Sequence, residues 1–168
     1  MPHAALFVAR FCSSAWIGAA VLFVTVGILE VTRGGFDAAT KDMLVAIRFP
    51  AFYLTGATLI GAAWLATCLA RDRSELSQRR QVIAVFCLLA VLTVMALDYA
   101  FIYQPLLAMV TPPGVEKTAA FKQYHDASKY VNLLGLALTL VASVSLNWPR
   151  ENINRSNNTL ESRSDGSE

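Results

Sequence analysis

Four long stretches of the chain carry almost no charge. Residues 11–31 contain one charged side chain, Glu30; residues 49–70 contain none, residues 82–103 only Asp98, and residues 131–148 none. A helix rises ~1.5 Å per residue, so roughly 20 residues cross a hydrocarbon layer of ~30 Å. The fourth stretch is short for that task, so its helix is expected to begin earlier, within residues 121–130. A transmembrane barrel requires apolar and polar positions to alternate along its strands. The run Val82-Ile83-Ala84-Val85-Phe86-Cys87-Leu88-Leu89 does not alternate. The pattern therefore predicts an all-α fold, a four-transmembrane-helix bundle with helices at about 10–31, 49–70, 82–103 and 121–148. These form one membrane domain over residues 1–149, with both termini on the same side.

The flanks refine this picture. The first apolar run is about twice the ~7–15 residues of a signal-peptide core, and no small-x-small cleavage site follows it before Glu30, so it reads as a retained anchor. Trp148 is an interfacial aromatic and Pro149 stops the last helix. Residues 150–168 are rich in Ser, Asn and charge, with little to bury, and are expected to form a disordered cytoplasmic tail. Two glycosylation-type triplets in it, beginning at Asn154 and Asn157, read as chance matches in such a composition.

Composition agrees. Of 168 residues, 55% are apolar and only 15% charged, with a mean hydropathy of +0.48. A soluble domain has nearly twice that share of charge, and a formal net charge of +2 makes no nucleic-acid surface. The implied partners are the lipid bilayer and a second copy or another membrane protein, not nucleic acid. Orientation follows from the basic flanks. Arg10, Arg71, Arg73, Arg79, Arg80, Arg150, Arg155 and Arg163 fall on the side of the termini. Arg33, Lys41, Arg48, Lys117, Lys122 and Lys129 fall on the other. The four arginines within residues 71–80 tip the balance, placing both termini in the cytoplasm and the protein in the plasma (inner) membrane.

Candidate chemistry is sparse. No HExxH, GxSxG, P-loop or paired-histidine metal motif occurs, so no catalytic residue and no cofactor is assigned. Cys12, Cys68 and Cys87 all fall at the cytoplasmic end; a soft metal such as Cu(I) would use such ligands, but without CxxC spacing they read as small apolar filler. Ser14 with Gly18, and Ala57 with Gly61, are small-xxx-small pairs expected to let helices approach closely. In the fourth helix Ser128, Asn132, Gly135, Thr139 and Ser143 recur at steps of four, three, four and four. That places them on one face, which should point into the bundle.

The ionisable residues gather at the opposite, outer end. Asp98 lies ~24 Å along its helix from Val82, close to the outer interface. Arg48 precedes Phe49-Pro50, where proline suits a first helical turn. Tyr103 stacks one turn from Tyr99, and His125 shares the face of Ser128 and Asn132. Arg48, Asp98, Tyr103, His125, Ser128 and Asn132 are thus the candidate outer polar cluster, with Asp98 expected to pair with Arg48, since a buried carboxylate requires a partner.

Trp16-Ile17-Gly18, the apolar run from Val21 to Ile28, Pro105, and Phe121-x-x-x-His125-x-x-Ser128-x-x-x-Asn132 resemble the transmembrane protein 205-like family. It is a four-span membrane domain of unknown function, and the resemblance covers roughly residues 10–145. It implies the same architecture and no particular reaction. The expected role is a small, non-catalytic binding or structural bundle. The alternatives are a transporter or ion-path subunit using Asp98, His125 and Asn132, or a haem or metal redox subunit. Transmembrane bis-histidine haem is disfavoured because the two histidines, His3 and His125, fall at opposite ends.

Overall fold

The computed structural model describes residues 2–70 and 76–148. Arg71, Arg73 and the segment 150–168, including the expected tail, lie outside the described residues. The chain runs through α1 (Pro2–Thr32), α2 (Ala38–Leu69), α3 (Gln78–Asp98), a π-helical turn (Tyr99–Tyr103), α4 (Gln104–Met109) and α5 (Ala119–Asn147). Four segments are long and apolar enough to cross a membrane: His3–Thr32, Ala38–Leu69, Gln78–Met109 and Ala119–Asn147. α3, the π turn and α4 act as one span. The all-α, four-span reading is correct, and the chain is a multi-pass membrane protein.

The helices run longer than hydropathy predicted, most of all α2. It starts at Ala38 rather than near residue 49, because Asp37 caps it, accepting the Thr40 N–H at 2.7 Å. Lack of charge marks only the hydrocarbon-embedded part of a helix, whereas the cap decides where the helix begins. As a result Pro50 is interior to α2 rather than in its first turn, and Lys41, Asp42 and Arg48 are helical. Ser77 and Thr118 cap α3 and α5 in the same way. The third span also extends past residue 103. Pro105 has no N–H and would clash with the carbonyl four residues back. The π turn immediately before it absorbs that defect, with Gln104 N–H donating to Tyr99 O.

The core follows steps of three and four. α1 buries Leu6, Ala9, Ser13, Trp16 and Ala20; α3 buries Ala84, Leu88, Val91 and Asp98; α5 buries Ser128, Gly135, Thr139, Ala142 and Leu146. Such spacing keeps one seam of each helix facing its neighbours along its whole length. The polar face expected of α5 therefore does point inward, with Asn132 half-buried among its buried members. The small-xxx-small expectation holds at Ser14, which bonds Ser143 of α5 at 3.3 Å, and fails at its partners. Gly18 and Ala57 are exposed, and Gly18 and Gly61 have nothing within 4 Å of where a Cβ would stand. Close approach occurs instead at Gly56, where a Cβ would meet the Met95 methyl and come within 2.6 Å of the Trp16 ring.

Pro2, Leu69, Gln78 and Asn147 share one end of the bundle, the terminal end, so the first and last described helices begin and finish on one side. Here side chains seal open helix ends. Arg10 Nε donates to Leu146 O at 2.8 Å, and Arg80 donates to Trp148 O at 3.0 Å. Gln81 Nε2 donates to Thr67 O and Ala70 O at 2.8 and 2.7 Å. Terminal carbonyls lack intrahelical donors and carry partial negative charge, so cations and amides suit them. At the other, hairpin end, Asp42 accepts Gly114 N–H at 2.9 Å and Lys117 Nζ at 2.6 Å, tying the loop before α5 to α2. Gly114 has φ +87°, and Ala39 packs 3.4 Å from where its Cβ would be, so this turn needs glycine.

Candidate functional site: a lateral cleft floored by Asp98

α1 and α5 meet at the terminal end, where Ser14 Oγ and Ser143 Oγ share a hydrogen bond of 3.3 Å. Beyond Ala20 no residue of α1 is buried. The Phe23 ring turns to α2 instead, packing on Phe52 at 4.3 Å and edge-on to Phe49 at 5.1 Å between centroids. α5 presents small residues to the space left behind; Gly135 is buried, yet a Cβ there would touch nothing within 4 Å. A cleft of about 510 Å³ results, lined by all four spans. Val21, Val24 and Leu133 line it and are also exposed on the outside of the bundle, so its mouth opens sideways between α1 and α5.

Asp98 forms part of the floor and is only 1% exposed. Its Oδ2 accepts the Tyr53 hydroxyl at 2.5 Å and Asn132 Nδ2 at 3.1 Å. Asn132 Nδ2 also donates to Ser128 O at 2.9 Å and lies 3.2 Å from Ser128 Oγ, which locks the amide across one turn of α5. Asp98 Oδ1 is buried and takes no hydrogen bond. The third span continues past this carboxylate to Met109. The surrounding walls are mostly apolar and partly aromatic, with Trp16, Phe23, Phe49 and Phe52 among them.

The expected outer cluster divides. Asp98, Ser128 and Asn132 come together as a bonded network, and His125 lines the same cleft nearer the hairpin end, stacked on Phe121 at 5.8 Å. Arg48 does not join them. It pairs with Glu30 at 2.6 Å and lies 5.2 Å over the Phe23 ring, lining a separate hollow of about 330 Å³ between α1 and α2. The physical reason is the early start of α2, which sets Arg48 nearly three turns inside the helix, opposite the end of α1. Gly27 leaves room there for the guanidinium, 3.6 Å from where its Cβ would be. Tyr103 is also outside the cleft, buried against Tyr53, Tyr99 and Phe49 with centroids 5.3, 5.4 and 5.6 Å away.

Tyr53 is the residue that sequence reasoning missed. A phenol in an otherwise charge-free span was the available signal, since a carboxylate in a neighbouring span needs a donor at similar depth. The cysteines do not converge: Cys12 is buried, Cys87 half-buried and Cys68 exposed. Among the described residues no group of three His, Cys, Asp or Glu side chains is placed to hold a metal ion. No protein-family model, curated protein or solved structure matches the chain.

Proposed function

We propose that this chain is a non-catalytic membrane protein that binds a lipophilic molecule, taken sideways from the bilayer into the cleft between α1 and α5. One observation carries the reading: a cavity of drug-sized volume opens to lipid on one side and ends on a buried carboxylate oxygen without a protein donor. Membrane bundles ordinarily close such gaps with small residues and interhelical hydrogen bonds. Here the small residues of α5 leave the gap open. The shared span count and the Phe121–Asn132 spacing support kinship with the transmembrane protein 205-like family. The arginines at the terminal end support a cytoplasmic placement of that end in the plasma membrane, which would put the cleft in the outer leaflet.

Native mass spectrometry of the full chain released from lipid nanodiscs tests the binding. Wild-type protein should retain one lipophilic molecule, and Val24→Trp, a substitution at the exposed rim, should retain none. Retention unaffected by Val24→Trp would exclude the cleft as the site. For orientation, the three native cysteines are replaced and single ones introduced as Gln78→Cys or Gly35→Cys. An impermeant thiol reagent added to intact cells should label Gly35→Cys only.

A second reading, an ion path, draws on the fact that His125, Ser128, Asn132 and Asp98 all line one cleft. Proton or cation flux into liposomes, lost in Asp98→Asn, would favour it over binding alone.

A further inference from the structure

We infer that the cleft's occupant is a lipophilic amine, its cationic nitrogen at Asp98 and its apolar body against the aromatic wall. This rests on the cleft reading above and names the ligand class for it. Asp98 is a carboxylate at 1% exposure whose Oδ2 has two protein donors and whose Oδ1 has none. Two cations of the hairpin half are engaged elsewhere, Arg48 by Glu30 at 2.6 Å and Lys117 by Asp42 at 2.6 Å, and His125, in the same cleft, stacks on Phe121. Lys129, at the cleft's rim, is paired with Asp126 at 2.8 Å. A buried carboxylate without a basic partner is a demand for one.

The walls meet the same requirement. Trp16, Phe23, Phe49 and Phe52 line the cleft, and aromatic faces attract cations, the more so where water is excluded. Arg48 over the Phe23 ring at 5.2 Å shows the same ring accepting a cation from its other surroundings. An acyl chain would fill the apolar space but leave Oδ1 without a donor. A fatty acid or phosphate head would meet Asp98 as a like charge. An amine on an apolar body satisfies both the oxygen and the walls.

Three probes with one tail separate these chemistries: 12-bromododecylamine, 12-bromododecanol and 12-bromododecanoate, with bromine quenching the Trp16 fluorescence. The other two tryptophans are replaced by Phe. Trp64 Nε1 makes no hydrogen bond and Trp148 is exposed, so neither change disturbs a bonded indole. In phosphatidylcholine nanodiscs the amine should quench saturably, about tenfold or more tighter than the alcohol, and the carboxylate should show only the linear quenching of bulk partition. Asp98→Asn should remove the amine's advantage, and Val24→Phe, which fills the rim without adding a fluorescent indole, should abolish saturable quenching altogether. Equal saturation by amine and alcohol, blocked by Val24→Phe, would overturn the amine assignment and leave the binding reading intact. Linear quenching by all three would overturn the binding reading itself. An amine preference surviving in Asp98→Asn would remove Asp98 from the site. Should that variant fail to fold, the amine-to-alcohol ratio on the parent chain still decides.

Discussion

At the terminal end α1 buries Leu6, Ala9, Cys12, Ser13, Trp16 and Ala20 and is stitched to α5 by Ser14–Ser143 and Arg10–Leu146. At the hairpin end the same helix buries nothing and leans on α2 through Phe23, while α5 offers Ser128, Asn132 and Gly135 to an open cleft. Both halves belong to the same four spans, each long and apolar enough to cross a membrane, so span-level hydropathy does not distinguish them. The difference lies in how side-chain volume is matched across the α1–α5 contact. Where small residues face small residues, helices close and van der Waals contact holds them. Where one helix turns its bulk to another neighbour and the facing helix has none, a void remains. A void in a membrane bundle with a carboxylate at its base is a place for something else to sit.

Paired substitutions sharpen this contrast, each read as thermal or denaturant unfolding in detergent. The largest effect is expected from Leu146→Ala, a fully buried side chain at the terminal end, at about 2–5 kcal/mol. Leu133→Ala at the cleft's rim, 63% exposed, should change stability by no more than about 0.5 kcal/mol. Similar losses at the two sites would mean that the hairpin half is as well packed as the other.

The glycines divide in the same way. Gly56→Ala forces a methyl into Trp16 and Met95 and should destabilise by about 1–3 kcal/mol. Gly135→Ala enters open space and should be neutral or stabilise α5 by up to about 1 kcal/mol. Destabilisation by Gly135→Ala would show that the cleft is closed at that depth.

Tyr53→Phe removes the shorter of the two hydrogen bonds to Asp98 and should cost about 1–3 kcal/mol. In an Asp98→Asn background the same change should cost less. Equal losses in both backgrounds would separate Tyr53 from the carboxylate.

The Glu30–Arg48 pair, one-fifth exposed on each side, should show a smaller coupling. Glu30→Gln and Arg48→Gln should each lose about 1 kcal/mol, and the double variant less than their sum. Additivity would indicate two independent side chains.

The smallest effect is local and depends on pH. Asp37 caps α2, and its interactions with the Thr40 hydroxyl and then the Thr40 amide hold its carboxyl below the usual carboxylate range. A depressed folded-state pKa stabilises fully above the ordinary aspartate value of ~4 and is lost as pH falls through the lowered one. Hydrogen exchange at the Thr40 amide, corrected for its intrinsic pH dependence, should therefore quicken only in that acid window. The window should disappear in Asp37→Ser.

The number of spans, the return of both ends to one side and the inward face of α5 were legible from the sequence alone, because each depends on local properties. A charge-free run of sufficient length must cross the bilayer, and a polar stripe at steps of three and four must turn away from lipid. The chain also revealed which ionisable residues were exceptional. Their partners it could not reveal. Asp98 meets Tyr53 and Asn132 rather than Arg48 because the Asp37 cap lengthens α2, the Pro105 defect is absorbed by a π turn, and Phe23 draws α1 towards α2. Each of these sets the rotation and spacing of one helix against another, and no one-dimensional pattern contains that quantity. The cleft has the same origin: it is the space left where two helices that hydropathy treats alike fail to fill the gap between them, and only the tertiary structure decides where that happens.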